Sequence, residues 1–253
     1  LLDEILNRAP NRHAAYVGPS AFAHKGGLHS SAVQKDPRTY EHIPPEIVGN
    51  TRKILVSDQA GRSNLIARLS EVGIDVDARD ERVQRLLEVV KQNEFLGYAY
   101  DGAEASFELL ARRALGQVPN YFDVESFRVT VERKNNARGE EATVSQADVK
   151  MKVAGLLLNN VGSGNGPIDA LDDALRKDLG KYSSYLHDLR LVDYKVRILG
   201  SGTDAVTRVM VESADGKGGR WSTVGVSPNI VDASFEALAD SITYKLYRDG
   251  ANG

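Results

Sequence analysis

Phe127-Arg128-Val129-Thr130-Val131-Glu132 decides the fold class. Apolar and polar residues alternate strictly over these six positions, which is the signature of a half-buried strand. Just before it, Gln117-Val118-Pro119-Asn120 interrupts a chain that until then repeats at helical spacing. The period changes from 3.6 to 2 at that point, so helices occupy the first part of the chain and strands dominate the second. This order predicts an α+β protein: an N-terminal helical subdomain, then a domain of repeated β-β-α units.

Working backwards from the switch, three helical stripes stand out. Leu65, Ile66, Leu69 and Val72 form one, closed by Gly73. Val83, Leu86, Leu87 and Val90 form the next, and the charges from Asp77 to Arg85 read as its solvated face. The third runs through Phe107, Leu110 and Ala114 to Gly116, with Asp101 and Glu104 at capping-box spacing. Residues 1–56 are irregular, with a short amphipathic helix at Leu1-Leu2-Asp3-Glu4-Ile5-Leu6. The organisation expected is therefore 1–56 as a linker subdomain, 57–118 as a helical accessory subdomain and 119–253 as the strand-rich domain.

Working forwards, Asn135-Asn136-Ala137-Arg138-Gly139 is a turn and a second strand runs to about Val153. Gly162-Ser163-Gly164-Asn165-Gly166-Pro167 then reads as a loop entering a helix, with Asn159-Asn160 a poor strand end. Strands are expected around Tyr194/Val196/Ile198, from Ala205 to Val211 and from Trp221 to Val226, with a closing helix from Ser227-Pro228. Asp215-Gly216-Lys217-Gly218-Gly219 is a hairpin turn. Ile168-Asp169-Ala170-Leu171-Asp172-Asp173-Ala174-Leu175 lines up with Val231-Asp232-Ala233-Ser234-Phe235-Glu236-Ala237-Leu238, so the second half repeats itself.

Composition excludes several functions. The chain has 253 residues, is 42% hydrophobic and 26% charged, and carries a net charge of −3. That is an ordinary globular composition, with no excess of cations for sequence-independent nucleic-acid binding. No apolar run is long enough to span a bilayer, so no membrane partner is expected. The absence of cysteine excludes disulfides, thiolate metal ligands and a cysteine nucleophile, and fits a cytoplasmic location. Four of the five histidines (His13, His24, His29 and His42) fall in the first 42 residues, so imidazole chemistry belongs to that end.

Local motifs point less sharply. The glycine-rich loop before Pro167 reads first as a tight turn and second as a carboxylate site at a helix start; it lacks the Gly-Lys-Ser/Thr of a P-loop. His24 and His29 bracket Lys25-Gly26-Gly27-Leu28 at a spacing that suits no helical metal pair. They could instead protonate or bind an anion. Ser30-Ser31 has no orienting acid to make it a nucleophile.

Taken together, Ala21-Phe22-Ala23-His24-Lys25-Gly26-Gly27-Leu28-His29, Tyr40-Glu41-His42-Ile43-Pro44-Pro45-Glu46-Ile47-Val48-Gly49-Asn50 and Ser57-Asp58-Gln59-Ala60-Gly61-Arg62-Ser63-Asn64 resemble the segment that follows the barrel in the 2-isopropylmalate synthase/citramalate synthase family. The wording is nearer to the citramalate synthases. Gly164-Asn165-Gly166-Pro167, Asp193-Tyr194, Gly202-Thr203-Asp204-Ala205 and Gly225-Val226-Ser227-Pro228-Asn229-Ile230-Val231-Asp232-Ala233-Ser234 resemble that family's C-terminal regulatory domain.

The resemblance implies a role for each matching position. His29 falls on the histidine that reaches a neighbouring subunit's barrel as general base or proton relay, and Tyr40 lies near a position used at the acyl-CoA end. Some relatives carry an Asp two residues beyond that histidine; here it is Ser31. A branched-chain amino-acid effector would be lined by Ile168, Leu191, Tyr194, Ile198, Ala205, Thr207 and Pro228. The family's divalent metal, acetyl-CoA and α-keto acid sites belong to a TIM-type barrel. The chain starts at Leu1 rather than Met, and a barrel of about its own length is expected upstream. No metal ligand and no cofactor are expected within residues 1–253. The implied assembly is a homodimer, and the implied reaction is condensation of acetyl-CoA with pyruvate under isoleucine feedback. Alternatives are 2-isopropylmalate synthase with leucine as effector, or a stand-alone amino-acid-sensing dimerisation module.

Overall fold

The computed structural model describes residues 11, 13–18, 20–24, 26–54, 61–77, 79–135, 139, 141–200, 202 and 205–253. The expected helix at Leu1–Leu6, all of Ser57–Ala60, Thr203-Asp204 and the tip of the Asn135–Gly139 turn lie outside these residues. The chain divides into two compact units, residues 1–95 and 96–253.

In the first unit a short parallel pair, β1 (Ala23–His24) with β2 (Lys53–Ile54), ties the irregular segment together. Helix α1 (Gly27–Lys35) follows β1 and buries Val33. The two predicted stripes become α2 (Arg62–Glu71) and α3 (Glu81–Leu96). Leu65, Leu69, Val83, Leu86, Leu87 and Val90 are buried, and the chain leaves α2 through Gly73 at φ 70°. That left-handed angle is one glycine adopts without a Cβ clash.

In the second unit α4 (Glu104–Ala114) packs against the last strand and the last helix. Its predicted capping box does not form: the N-cap is Ala103, with no side-chain cap. Tyr100 is buried and its ring meets Phe107 edge-on at 6.1 Å, which anchors a tight 3-10 turn through Asp101 before the helix begins.

The remainder is built twice. Strands β3 (Phe122–Asn135), β4 (Glu141–Val153) and β5 (Leu156–Gly164) form one antiparallel sheet, followed by α5 (Pro167–Lys177). A short helix α6 (Ser183–Leu186) leads to β6 (Arg190–Leu199), β7 (Val206–Ala214) and β8 (Arg220–Ser227), followed by α7 (Ile230–Arg248). Each repeat thus has one strand more than the β-β-α expectation. The strand missed is β5, and Asn159-Asn160 and Gly162 lie inside it.

The repeats match in detail. A Cβ on Gly162 would stand 2.3 Å from the Ala170 carbonyl oxygen, and one on Gly225 would stand 2.0 Å from that of Ala233. Both glycines let a helix settle directly on its sheet. The Asn160 amide donates to the Ala174 carbonyl at 3.1 Å, and the Thr223 hydroxyl to the Ala237 carbonyl at 2.7 Å. The backbone N–H of Ser163 donates to Asp173 at 3.1 Å, and that of Val226 to Glu236 at 2.9 Å. Both first strands bulge at matching places, Val124/Ser126 and Leu191/Asp193. The core common to both halves includes Val149, Met151, Leu171, Leu175, Val211 and Ile242.

Candidate functional site

The first unit gathers the N-terminal imidazoles. Pairing of β1 with β2 places His24 beside Glu41, Nε2 to Oε1 at 3.0 Å. Arg52 grips the same carboxylate twice, Nε to Oε1 at 2.8 Å and a terminal nitrogen to Oε2 at 2.5 Å. The Glu41 side chain is only 3% exposed. The Arg52 hydrogen bonds hold its carboxyl below the usual range, against burial and with help from His24. Facing an ionised carboxylate, His24 carries its proton on Nε2 and leaves Nδ1 for another partner.

His29 is exposed on α1, and its ring stacks on Tyr40 with centroids 4.1 Å apart and planes at 27°. The two residues singled out for catalysis are therefore in contact. Tyr40, His24, Glu41 and His42 line a cavity of about 290 Å³. Tyr16 lines it too, at φ 64°, a left-handed angle rare for an aromatic residue. Asn50 fastens that turn by donating to the Tyr16 and Gly18 carbonyls at 2.8 and 2.9 Å, and the Tyr16 hydroxyl lies 3.2 Å from His42 Nε2. Ser30 is buried and its hydroxyl donates to the His24 carbonyl at 3.3 Å, which makes it a backbone brace. Lys25 lies outside the described residues.

Chemically, this cavity offers an imidazole oriented by a carboxylate, together with two phenols: equipment for moving or donating protons toward an anion. It does not suit a metal, because Arg52 already occupies the Glu41 carboxylate. Among the described residues no three histidines, cysteines or carboxylates converge.

The second unit has its own cavity, of about 440 Å³, between α5 and the start of β6. Ile168, Leu191 and Tyr194 line it, three of the seven expected effector residues. Ile198 is 65% exposed near the far end of β6, paired across the ladder with buried Thr207, and Pro228 is exposed after β8. Those three and Ala205 do not join the cavity wall. Its polar groups, Asp169, Asp172, Arg176 and Arg190, had no sequence signal beyond the charged side of an amphipathic helix. Arg176 donates to the Leu189 carbonyl at 2.6 Å and pairs with Asp172. Burial pushes the Asp172 carboxyl up, and Arg176 pulls against it. Burial likewise raises the Tyr194 phenol, whose oxygen lies 2.7 Å from the Ser234 hydroxyl. The glycine-rich segment before Pro167 is neither a free loop nor an anion cradle, since Gly162 and Gly164 are packed against α5.

A duplicated three-strand-and-helix unit behind a histidine-bearing segment defines a class of regulatory module, and comparison with known sequences gives it a family. The profile of the LeuA allosteric (dimerisation) domain matches residues 101–246, and that of the homocitrate synthase post-HMGL domain matches residues 16–95. The chain belongs to the 2-isopropylmalate synthase/citramalate synthase family and carries its LeuA allosteric (dimerisation) domain. It is 50% identical over 247 residues to the (R)-citramalate synthase of Geobacter sulfurreducens, covering 97% of this chain and 46% of that protein. The (R)-citramalate synthase of Aquifex aeolicus is 49% identical over 252 residues, 99% of this chain and 47% of that protein. A 2-isopropylmalate synthase from Methanocaldococcus jannaschii is 32% identical over 235 residues, 92% of this chain and 42% of that protein. The chain thus spans less than half the length of these relatives.

Proposed function

We propose that this chain is the accessory and allosteric region of a citramalate synthase-type acyltransferase. The similarity at 50% identity over 97% of the chain to an (R)-citramalate synthase is the observation that carries this reading. The enzyme would condense acetyl-CoA with pyruvate on a barrel that is not among these 253 residues, and that barrel would hold the divalent metal. The stacked pair His29 and Tyr40 would complete its active site, with His29 relaying a proton and Tyr40 at the acyl-CoA end. Residues 96–253 would dimerise and bind isoleucine, for which the cavity walled by Ile168, Leu191 and Tyr194 offers an apolar lining beside charged groups. Effector binding would bias the dimer and so the reach of His29. Leucine is the competing effector, favoured by the similarity to a 2-isopropylmalate synthase.

Calorimetric titration of the chain with isoleucine, leucine and valine tests the reading. Saturable binding with isoleucine tightest is the expected outcome. A preference for leucine would transfer the chain to the second reading, and no binding by any of the three would remove the effector site.

A further inference from the structure

The His29–Tyr40 stack closes a ring of contacts drawn from distant parts of the first unit. Tyr40 is followed directly by Glu41, whose Oε1 lies 3.0 Å from His24 Nε2. His24 ends β1, and its carbonyl accepts from the Ser30 hydroxyl at 3.3 Å. Ser30 follows His29 in the first turn of α1, and the His29 ring returns to Tyr40. Arg52, just before β2, braces the Glu41 carboxylate through both of its oxygens.

The stacked rings themselves are poorly held. His29 is exposed and so is Tyr40, at 46%. A stack between exposed rings returns little more than the rotamer freedom it costs. The residues directly behind them are the reverse: Ser30 is fully buried and Glu41 nearly so. Helix α1 has no side-chain cap at Gly26, so the Ser30 hydroxyl tethers its first turn to β1. Burying a carboxylate is costly, and an apolar side chain would fill the Glu41 position more cheaply. What the carboxylate adds is direction, because charge-assisted hydrogen bonds fix angles as well as distances.

We propose that Glu41 and Ser30 are positioning residues, which together set the spacing and tilt of His29 against Tyr40. Glu41 acts through His24, and both act through the backbone of a neighbour rather than on a reacting atom. The inference rests on the reading of His29 as a proton relay and Tyr40 at the acyl-CoA end, and adds what keeps the two aligned. It also gives Ser30 a task that needs no orienting acid.

The test reads the pair directly, by NMR on the full chain with isotope-labelled histidine and tyrosine. In the unaltered chain the His29 ring protons should cross-relax with the Tyr40 ring and lie upfield of free histidine. Glu41→Gln turns one acceptor into a donor against Arg52, and Ser30→Ala removes the tether. In both variants the cross-peaks should weaken and the His29 shift should move toward that of free histidine. Circular dichroism and melting establish that each variant folds; should one not fold, the other decides. Folded variants that keep the cross-peaks and the shift overturn the proposal, as does their absence from the unaltered chain.

A second arm uses the full-length enzyme that carries this chain behind its barrel, with acetyl-CoA and pyruvate. Each variant should lower kcat about tenfold or more, the scale of a small misplacement beside reacting atoms. In a His29→Ala background the same changes should cost nothing further, whereas a loss of folded protein would persist. Additive losses overturn the positioning role, and so does unchanged turnover in both variants where His29→Ala is impaired. Unchanged turnover in His29→Ala removes the catalytic reading of the pair, and the NMR arm alone then decides whether Glu41 and Ser30 set it.

Discussion

Glu41 shows how much one carboxylate organises. It is almost fully buried, and both of its oxygens are claimed, one by His24 and both by Arg52. Glu41→Gln keeps the shape and removes the charge, so His24 loses its orienting acceptor and Arg52 its counter-ion. We expect the first unit to lose about 1–3 kcal/mol, measured by urea unfolding, since hydrogen bonds to charged groups have that scale. The pH dependence follows from the direction of the shift. A carboxyl held below its ordinary value of 4.5 stabilises the fold above that value and loses the effect as pH falls through its folded pKa. The unaltered unit should therefore weaken in acid more steeply than Glu41→Gln; parallel acid titrations would contradict this role. The stacking of His29 on Tyr40 joins two residues that the sequence marks only by the wording around them. Glu41 was in plain view between Tyr40 and His42, but only the β1–β2 pairing, distant in sequence, brings Arg52 to it.

The elements were legible wherever one face alternates or repeats cleanly, as in α2, α3 and β3. Strand β5 was not, because its inward positions include Asn160 and Gly162, residues that ordinarily signal a turn. Their physical reason is the helix beneath: glycine admits the α5 backbone, and the Asn160 amide donates to the Ala174 and Asp178 carbonyls. Gly162→Ala and Gly225→Ala each force a Cβ into a helix carbonyl. Both should lower stability by about 1–3 kcal/mol, the cost of overpacking a tight contact, read as a shift in the denaturation midpoint. A neutral result in either would mean that the helix can slide away from its sheet. Helix α4 marks another limit of sequence reading. Its own pattern names a helix, but its partner, α7, lies more than a hundred residues along the chain. Arg113 and Ser106 both bind Asp240 there, at 2.7 and 2.8 Å.

At the scale of the whole molecule, one buried ion cluster ties distant segments of the second unit. Lys245 is fully buried within reach of Asp188 before β6, Asp215 in the β7–β8 hairpin and Asp249 after α7, at 3.1, 3.6 and 2.9 Å. Burial works against every one of these charges. Lys245, Arg248 and nearby backbone N–H groups nevertheless hold the three carboxyls low, and Asp249 and Asp188 hold the ammonium high. Removing the cation leaves carboxylates uncompensated, so Lys245→Met should cost about 3–5 kcal/mol in chemical denaturation. The carboxyl contribution is present above their ordinary value of 3.8 and is lost as pH falls through the folded values. Acid melting below that point should therefore be steeper in the unaltered chain than in Lys245→Met. This cluster was not visible in the sequence, where four scattered charges look like surface.

The matched sheet-and-helix contacts of the two repeats have a consequence for assembly. A single chain of this dimerisation family already joins two copies of one folding unit, covalently and in quasi-equivalent surroundings. In a dimer of such chains, four copies stand together.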